Sequence, residues 1–156
     1  MGYNCNLSGK TFVNVVTATG GSTTKIIDLT HYLCGNRRIC CSGSFAPSAT
    51  ITYTTKDIVD VGNGSYFLVI SLSGVLNYLP VKASSCCCAT ECQCPVSEPF
   101  YTDIMVDYEN ADAPTYTGGT VVVTPICNCC GQNVTNAVDI KTSVTITAPS
   151  STTTTT

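Results

Sequence analysis

"FYTDIMVDYE", residues Phe100 to Glu109, decides the fold. Phe100, Ile104, Val106 and Tyr108 fall on one parity; Tyr101, Asp103, Asp107 and Glu109 fall on the other. A period of two marks a strand with one buried and one wet face, because successive side chains of extended backbone leave on opposite sides. "SATITYT" (Ser48–Thr54) repeats the pattern with Ala49, Ile51 and Tyr53 on one side. "SYFLVISLSG" (Ser65–Gly74) and "GGTVVVTPI" (Gly118–Ile126) are more continuously apolar and suit central strands. Turn-forming clusters separate the runs: "TGGS" (Thr19–Ser22), "GNGS" (Gly62–Ser65), "NADAP" (Asn110–Pro114) and "TGG" (Thr117–Gly119). Threonine is abundant, and its stiff, β-branched side chain packs well on a pleat. No helical period exceeds about two turns. "KIIDLTHYL" (Lys25–Leu33) is the best helical candidate, with Ile26, Leu29 and Leu33 roughly on one face. The pattern predicts an all-β chain: a two-sheet β-sandwich or jelly roll of about eight to ten strands, with terminal extensions.

At 156 residues the chain fits one domain with a core of its own. The division is an N-terminal connector over 1–10, the sandwich over 11–148, and a Ser/Thr tail over 149–156. In the last part of the sandwich, Val134, Val138, Ile140, Val144, Ile146 and Ala148 share one parity over fifteen residues. One straight strand of that length would span roughly 50 Å, whereas strands usually stop near ten residues. Residues 134–148 therefore read as a bent strand, as two strands in sequence, or as a strand that leaves its domain and completes a neighbour's sheet.

Charged residues are only 11% of the chain, with a net charge of −3 and a pI near 4.8. No basic patch offers a footprint for nucleic acid, and "NRR" (Asn36–Arg38) is too small to be one. The densest apolar run, "YFLVI" (Tyr66–Ile70), is too short to cross a bilayer. "MGYNCNLSGK" has no basic head followed by an apolar run, so it does not read as an export signal. Catalysis has little to stand on. His31 is the only histidine, and "HYLC" sets it three residues before Cys34, the spacing of a candidate Cys–His dyad. Nothing marks a third, orienting group, and a lone histidine near a strand end reads as surface. "DYENADAP" (Asp107–Pro114) gathers acids as a calcium loop would, but breaks the EF-hand pattern at Ala111. The expectation is no enzyme, no cofactor and no bound metal.

The cysteines carry the functional argument. There are twelve: Cys5 alone, Cys34 with Cys40 and Cys41, Cys86, Cys87, Cys88, Cys92 and Cys94, then Cys127, Cys129 and Cys130. That density approaches a disulfide scaffold. Zinc is the competitor, through the CxxC of Cys127 and Cys130 and the CxC pairs Cys92–Cys94 and Cys127–Cys129. A ribbon site needs a second knuckle at matching spacing, and "CCCATECQC" does not supply it. Neighbouring cysteines rarely bridge one another, since a disulfide wants Cα atoms more than about 4.4 Å apart and a trans peptide gives about 3.8 Å. The vicinal cysteines therefore call for distant partners, in this chain or the next. Disulfides without an export signal suit a protein whose leader is gone, or one that meets an oxidising setting when its cell lyses.

A β-rich small subunit with low charge, CC pairs and terminal segments free to swap resembles the endospore appendage (Ena) subunits of Gram-positive spore formers. The resemblance implies a jelly-roll domain assembling into fibres, with neighbours joined by strand augmentation and by disulfides from an N-terminal connector. This N-terminus departs from that pattern. It holds Cys5 alone, while the CC pairs lie inside at Cys40–Cys41, Cys86–Cys88 and Cys129–Cys130. The expected function is a structural subunit of an extracellular filament or spore-surface layer. Its expected partners are copies of itself, head to tail, with Cys5 the best candidate for a bond between subunits. The alternatives are a monomeric secreted adhesin or binding module, and a thiol-cluster metal-binding protein.

Overall fold

The computed structural model describes residues 11–13, 20–41, 46–81, 95–127 and 133–150. Ten strands, and no helix, run through these residues. They are β1 (Thr11–Val13), β2 (Ser22–Tyr32), β3 (Ile39–Cys40), β4 (Ser48–Gly62), β5 (Ser65–Tyr78), β6 (Val96–Tyr108), β7 (Thr115–Gly118), β8 (Val122–Pro125), β9 (Val134–Thr135) and β10 (Ala137–Thr147). One sheet has the order β1-β6-β5-β4. Its three long strands form an antiparallel meander, and β1 runs parallel to β6 at one edge. In the other sheet β10 is central: β2 pairs along one side of it, and β7 and β8 pair end to end along the other. β3 and β9 make a small two-stranded ribbon. The molecule is the β-sandwich that the alternation predicts.

The core lies between the sheets. β6 turns in Phe100, Ile104, Val106 and Tyr108, the parity read from the sequence. β5 contributes Leu68, Ile70, Leu72 and Leu76, and β10 contributes Val138, Ile140, Val144 and Ile146. Each fully buried Leu or Ile stabilises the fold by about 1.5–3 kcal/mol relative to leaving it in water. At Gly74 the facing Phe100 ring fills the place of a side chain. A Cβ there would lie 2.1 Å from Phe100 Cζ, so only glycine fits.

Two local devices shape the meander. The β4–β5 hairpin closes on Asn63–Gly64, with Gly62 paired to Ser65 and both turn residues at positive φ. That is the two-residue turn whose twist matches its strands, and Asn-Gly is its preferred sequence. The register of β4 also slips between Thr55 and Asp57. This bulge ends the alternation of Ala49, Ile51 and Tyr53 and turns Lys56 out to Asp103, 2.8 Å away. The two sheets meet along the β4 side, where Tyr53 stacks on Tyr116 and the Thr55 hydroxyl hydrogen-bonds the Tyr116 hydroxyl.

Three expectations need correction. Lys25–Leu33 is strand, not helix: Ile27, Leu29, His31 and Leu33 are all buried while Ile26 is 65% exposed. The run is read correctly with a period of two; Ile26 belongs to the wrong parity for the core. His31 is not on the surface but fully buried. Residues 134–148 are two strands with a break at Asn136, and β10 pairs on both sides within its own chain. As the central strand of its sheet, with five of its core-facing side chains buried, β10 has no open edge to offer a neighbour.

Candidate functional site: a cysteine-bearing pole

The registers sort the connections by end. Tyr32 pairs with Ala137 and Pro125 with Val138, so β2 and β8 finish where β10 begins. Asn77 pairs with Ser48 and Tyr78 with Val96, so β4 and β6 begin where β5 finishes. Contacts between β2 and β6 place both ends at the same pole of the sandwich. The three connections that carry eleven of the twelve cysteines all leave from this pole. The opposite pole holds the Asn63–Gly64 hairpin, the 109–114 loop and the end of β10.

Local hydrogen bonds hold the cysteine pole. After β2 the chain turns at Gly35, whose φ of 64° suits glycine. β3 then pairs with β9, the Cys41 amide donates to the Asn133 carbonyl, and the Val81 amide donates to the Arg38 carbonyl. The Leu33 amide donates to Asn136, and Ile126 to Ala137. Cys41 bonds Cys127 across 86 residues, with Cα atoms 6.0 Å apart. Cys34 and Cys40 are disulfide-bonded as well. All four described cysteines are thus oxidised. Cys5, Cys86, Cys87, Cys88, Cys92, Cys94, Cys129 and Cys130 lie outside the described residues. Among the described residues no group of three or more His, Cys, Asp and Glu is placed to hold a metal.

Behind this pole sits a polar cluster that the sequence reading did not find. Glu98, 3% exposed, is on β6 and faces the core. His31 Nε2 lies 2.7 Å from Glu98 Oε2. The Tyr78 hydroxyl donates to Oε1 and the Cys34 amide donates to Oε2 at 3.1 Å. Arg37 Nη1 stands 4.0 Å from Oε1, on the solvent side. Burial pushes the Glu98 carboxyl up, but the hydrogen bonds from His31 and Tyr78 outweigh it. With help from the His31 charge and the Cys34 amide, they hold it below its ordinary value. Burial, and then the Glu98 carboxylate beside it, push the Tyr78 hydroxyl well up. His31 Nδ1 is buried with no partner among the described residues. That suits a neutral ring that donates from Nε2.

This cluster replaces the Cys–His dyad. His31 is committed to Glu98, and Cys34 meets the same carboxylate through its backbone amide while its sulfur is in a disulfide. A strand puts residues three apart on opposite faces, so His31 and Cys34 could not form a dyad within extended backbone. The sequence did hold a signal for Glu98: carried two residues back, the Phe100 parity lands on it. Ile27 and Leu29 lead to His31 in the same way.

Outside the core, burial and a hydrogen bond to Asp28 raise the Asp139 carboxyl to about 6. The 109–114 loop is tied down internally, not arranged around a cation: Tyr108 donates to the Asp112 carbonyl and the Asp112 amide donates to Asn110. An open cavity of about 530 Å³ lies at the cysteine pole, lined by Gly35, Asn36, Arg37, Arg38, Val134, Thr135 and Asn136. No described helix is long and apolar enough to cross a membrane. Compared with known proteins, the chain matches no family model, no curated protein and no solved structure.

Proposed function

We propose that the chain is a structural subunit that assembles with copies of itself into a disulfide-cross-linked extracellular filament or surface layer, of the kind spore appendages represent. The observation that carries this reading is the gathering of three cysteine-bearing connections at one pole. The cysteines described there are all oxidised, which suits a protein that works in an oxidising setting. A thiol-rich pole lets neighbouring copies be joined covalently, and linked chains cannot diffuse apart. Strand augmentation has an available edge. Among the described residues β2 pairs only with β10, leaving eleven residues of backbone on its other side to add a strand. A contact between one end of a subunit and the other end of the next does not close on itself, and repeated it gives a fibre.

The cavity at the cysteine pole favours a second reading, a monomeric secreted binding module. Gels separate the two. Without reductant the subunit reading expects a ladder, or material held in the well, that collapses to 16.4 kDa with strong reductant. A single 16.4 kDa band without reductant would leave the binding module standing.

A further inference from the structure

The two poles differ in charge. Asp57, Asp60, Glu109 and Asp112 are exposed near the hairpin pole, and Asp107 is half-buried beside them. That is half of the ten acids in the chain. The nearest cation, Lys56, is already held by Asp103. Both arginines of the chain line the cavity at the cysteine pole. Strands of eleven to fourteen residues separate the two ends, roughly 35–45 Å. At that distance the charges do not cancel within one molecule, because the Debye length at physiological salt is only about 8 Å.

Both surfaces are built to receive something. Arg37 keeps 47% of its side chain exposed while Glu98 stands behind it, so its guanidinium is held at the cavity wall. Asn36 and Asn136 add amide groups to the same wall. On the other pole, the loop bearing Glu109 and Asp112 is fixed by Tyr108 and by the Asn110 side chain, so little ordering remains to be done on binding.

We propose that the arginine-lined cavity is the seat for the hairpin pole of a second copy, with Glu109 and Asp112 of one chain entering against Asn36, Arg37 and Asn136 of the next. This rests on the subunit reading and specifies its partner surface. The contact is heterologous, so it sets the polarity of the assembly. It also brings the cysteine pole of each subunit against a neighbour, where cross-links can follow. Charge steers the docking and fixes its register, and covalent bonds then secure it.

The test follows assembly of the full-length oxidised chain by sedimentation, for wild type, Arg37→Glu, the pair Glu109→Lys with Asp112→Lys, and an equal mixture of the two variants. Circular dichroism checks that each variant is folded. The acidic-pole pair lies far from Glu98, so it keeps the test valid should Arg37→Glu disturb the buried cluster. Each variant alone sets like charge against like and is expected to assemble at least about tenfold less well than wild type. In the mixture every contact is again between opposite charges, and assembly is expected to return as an alternating copolymer. Moderate salt is expected to weaken wild-type assembly before cross-linking. If wild type assembles but the variants assemble equally well, or the mixture does not recover, the pole-to-pole seat is wrong and the subunit reading survives. If wild type does not assemble at all, both fall.

Discussion

Replacing Cys41 and Cys127 together by serine is expected to lower the midpoint of thermal unfolding by about 10 °C. The bond closes a loop with a sequence separation of 86 residues. Chain-entropy reasoning gives about 4.5 kcal/mol for a loop of that length at room temperature. That is an upper figure here, because the disulfides of Cys34 and Cys40 already restrict the unfolded chain. A loss of about 3–4 kcal/mol corresponds to roughly 10 °C for a domain of this size. The paired replacement matters, since a single one would leave a thiol free to exchange with the remaining disulfides. Calorimetry without reductant provides the measurement. A shift under about 2 °C would mean that the bond does not constrain the unfolded chain in the way the loop length requires.

Glu98→Ala is expected to be comparably costly, at about 3–5 kcal/mol. It strips the acceptor from His31 Nε2, the Tyr78 hydroxyl and the Cys34 amide at once. His31 and Tyr78 are fully buried, so water cannot replace what is lost without opening the core. Glu98→Gln keeps the shape and one acceptor oxygen and is expected to cost less. The two chains should also differ in their response to acid. The folded state holds the Glu98 carboxyl below its ordinary value of 4.5. Its contribution is therefore complete above that value and is lost as pH falls through the lower, folded one. The raised Asp139 works the other way: its contribution is present at low pH and disappears as pH rises through about 6. Because that group titrates in both chains, the difference between wild type and Glu98→Gln isolates Glu98. Denaturant titrations from pH 7 down to pH 3 should show a gap that is constant to about pH 5 and narrows below it. A gap that stays constant throughout would show that Glu98 is not held as a carboxylate.

The strands were legible because nothing in them competes with the period of two. Phe100 to Tyr108 buries the residues its parity assigns, and the Asn63–Gly64 turn sits where the local sequence puts it. Lys25–Leu33 misled because two adjacent isoleucines satisfy both periods. Only the opposing β10 decides between them, by covering Ile27 and leaving Ile26 in water. The site was harder to read for a different reason. Three cysteine groups far apart in sequence share a pole only through strand registers, and register follows from long-range pairing. Glu98 was hidden by its chemistry. A carboxylate is rarely buried unless paired, and its partners come from two other strands and a turn.

The sandwich leaves its two ends chemically unlike, one rich in cysteine and arginine, the other acidic. Self-assembly with covalent joining is the use that fits both. The most direct test is isotopic. Equal amounts of ordinary and ¹⁵N-labelled chain are mixed while reduced, oxidised together, and digested with pepsin at low pH, where disulfides do not exchange. Mass spectrometry then reads the isotopes on either side of each bond. The expected result is linked peptides with one labelled and one unlabelled partner, Cys5 among them. If every disulfide joins peptides of the same isotope, all twelve cysteines serve their own chain, and the cross-linked assembly is contradicted.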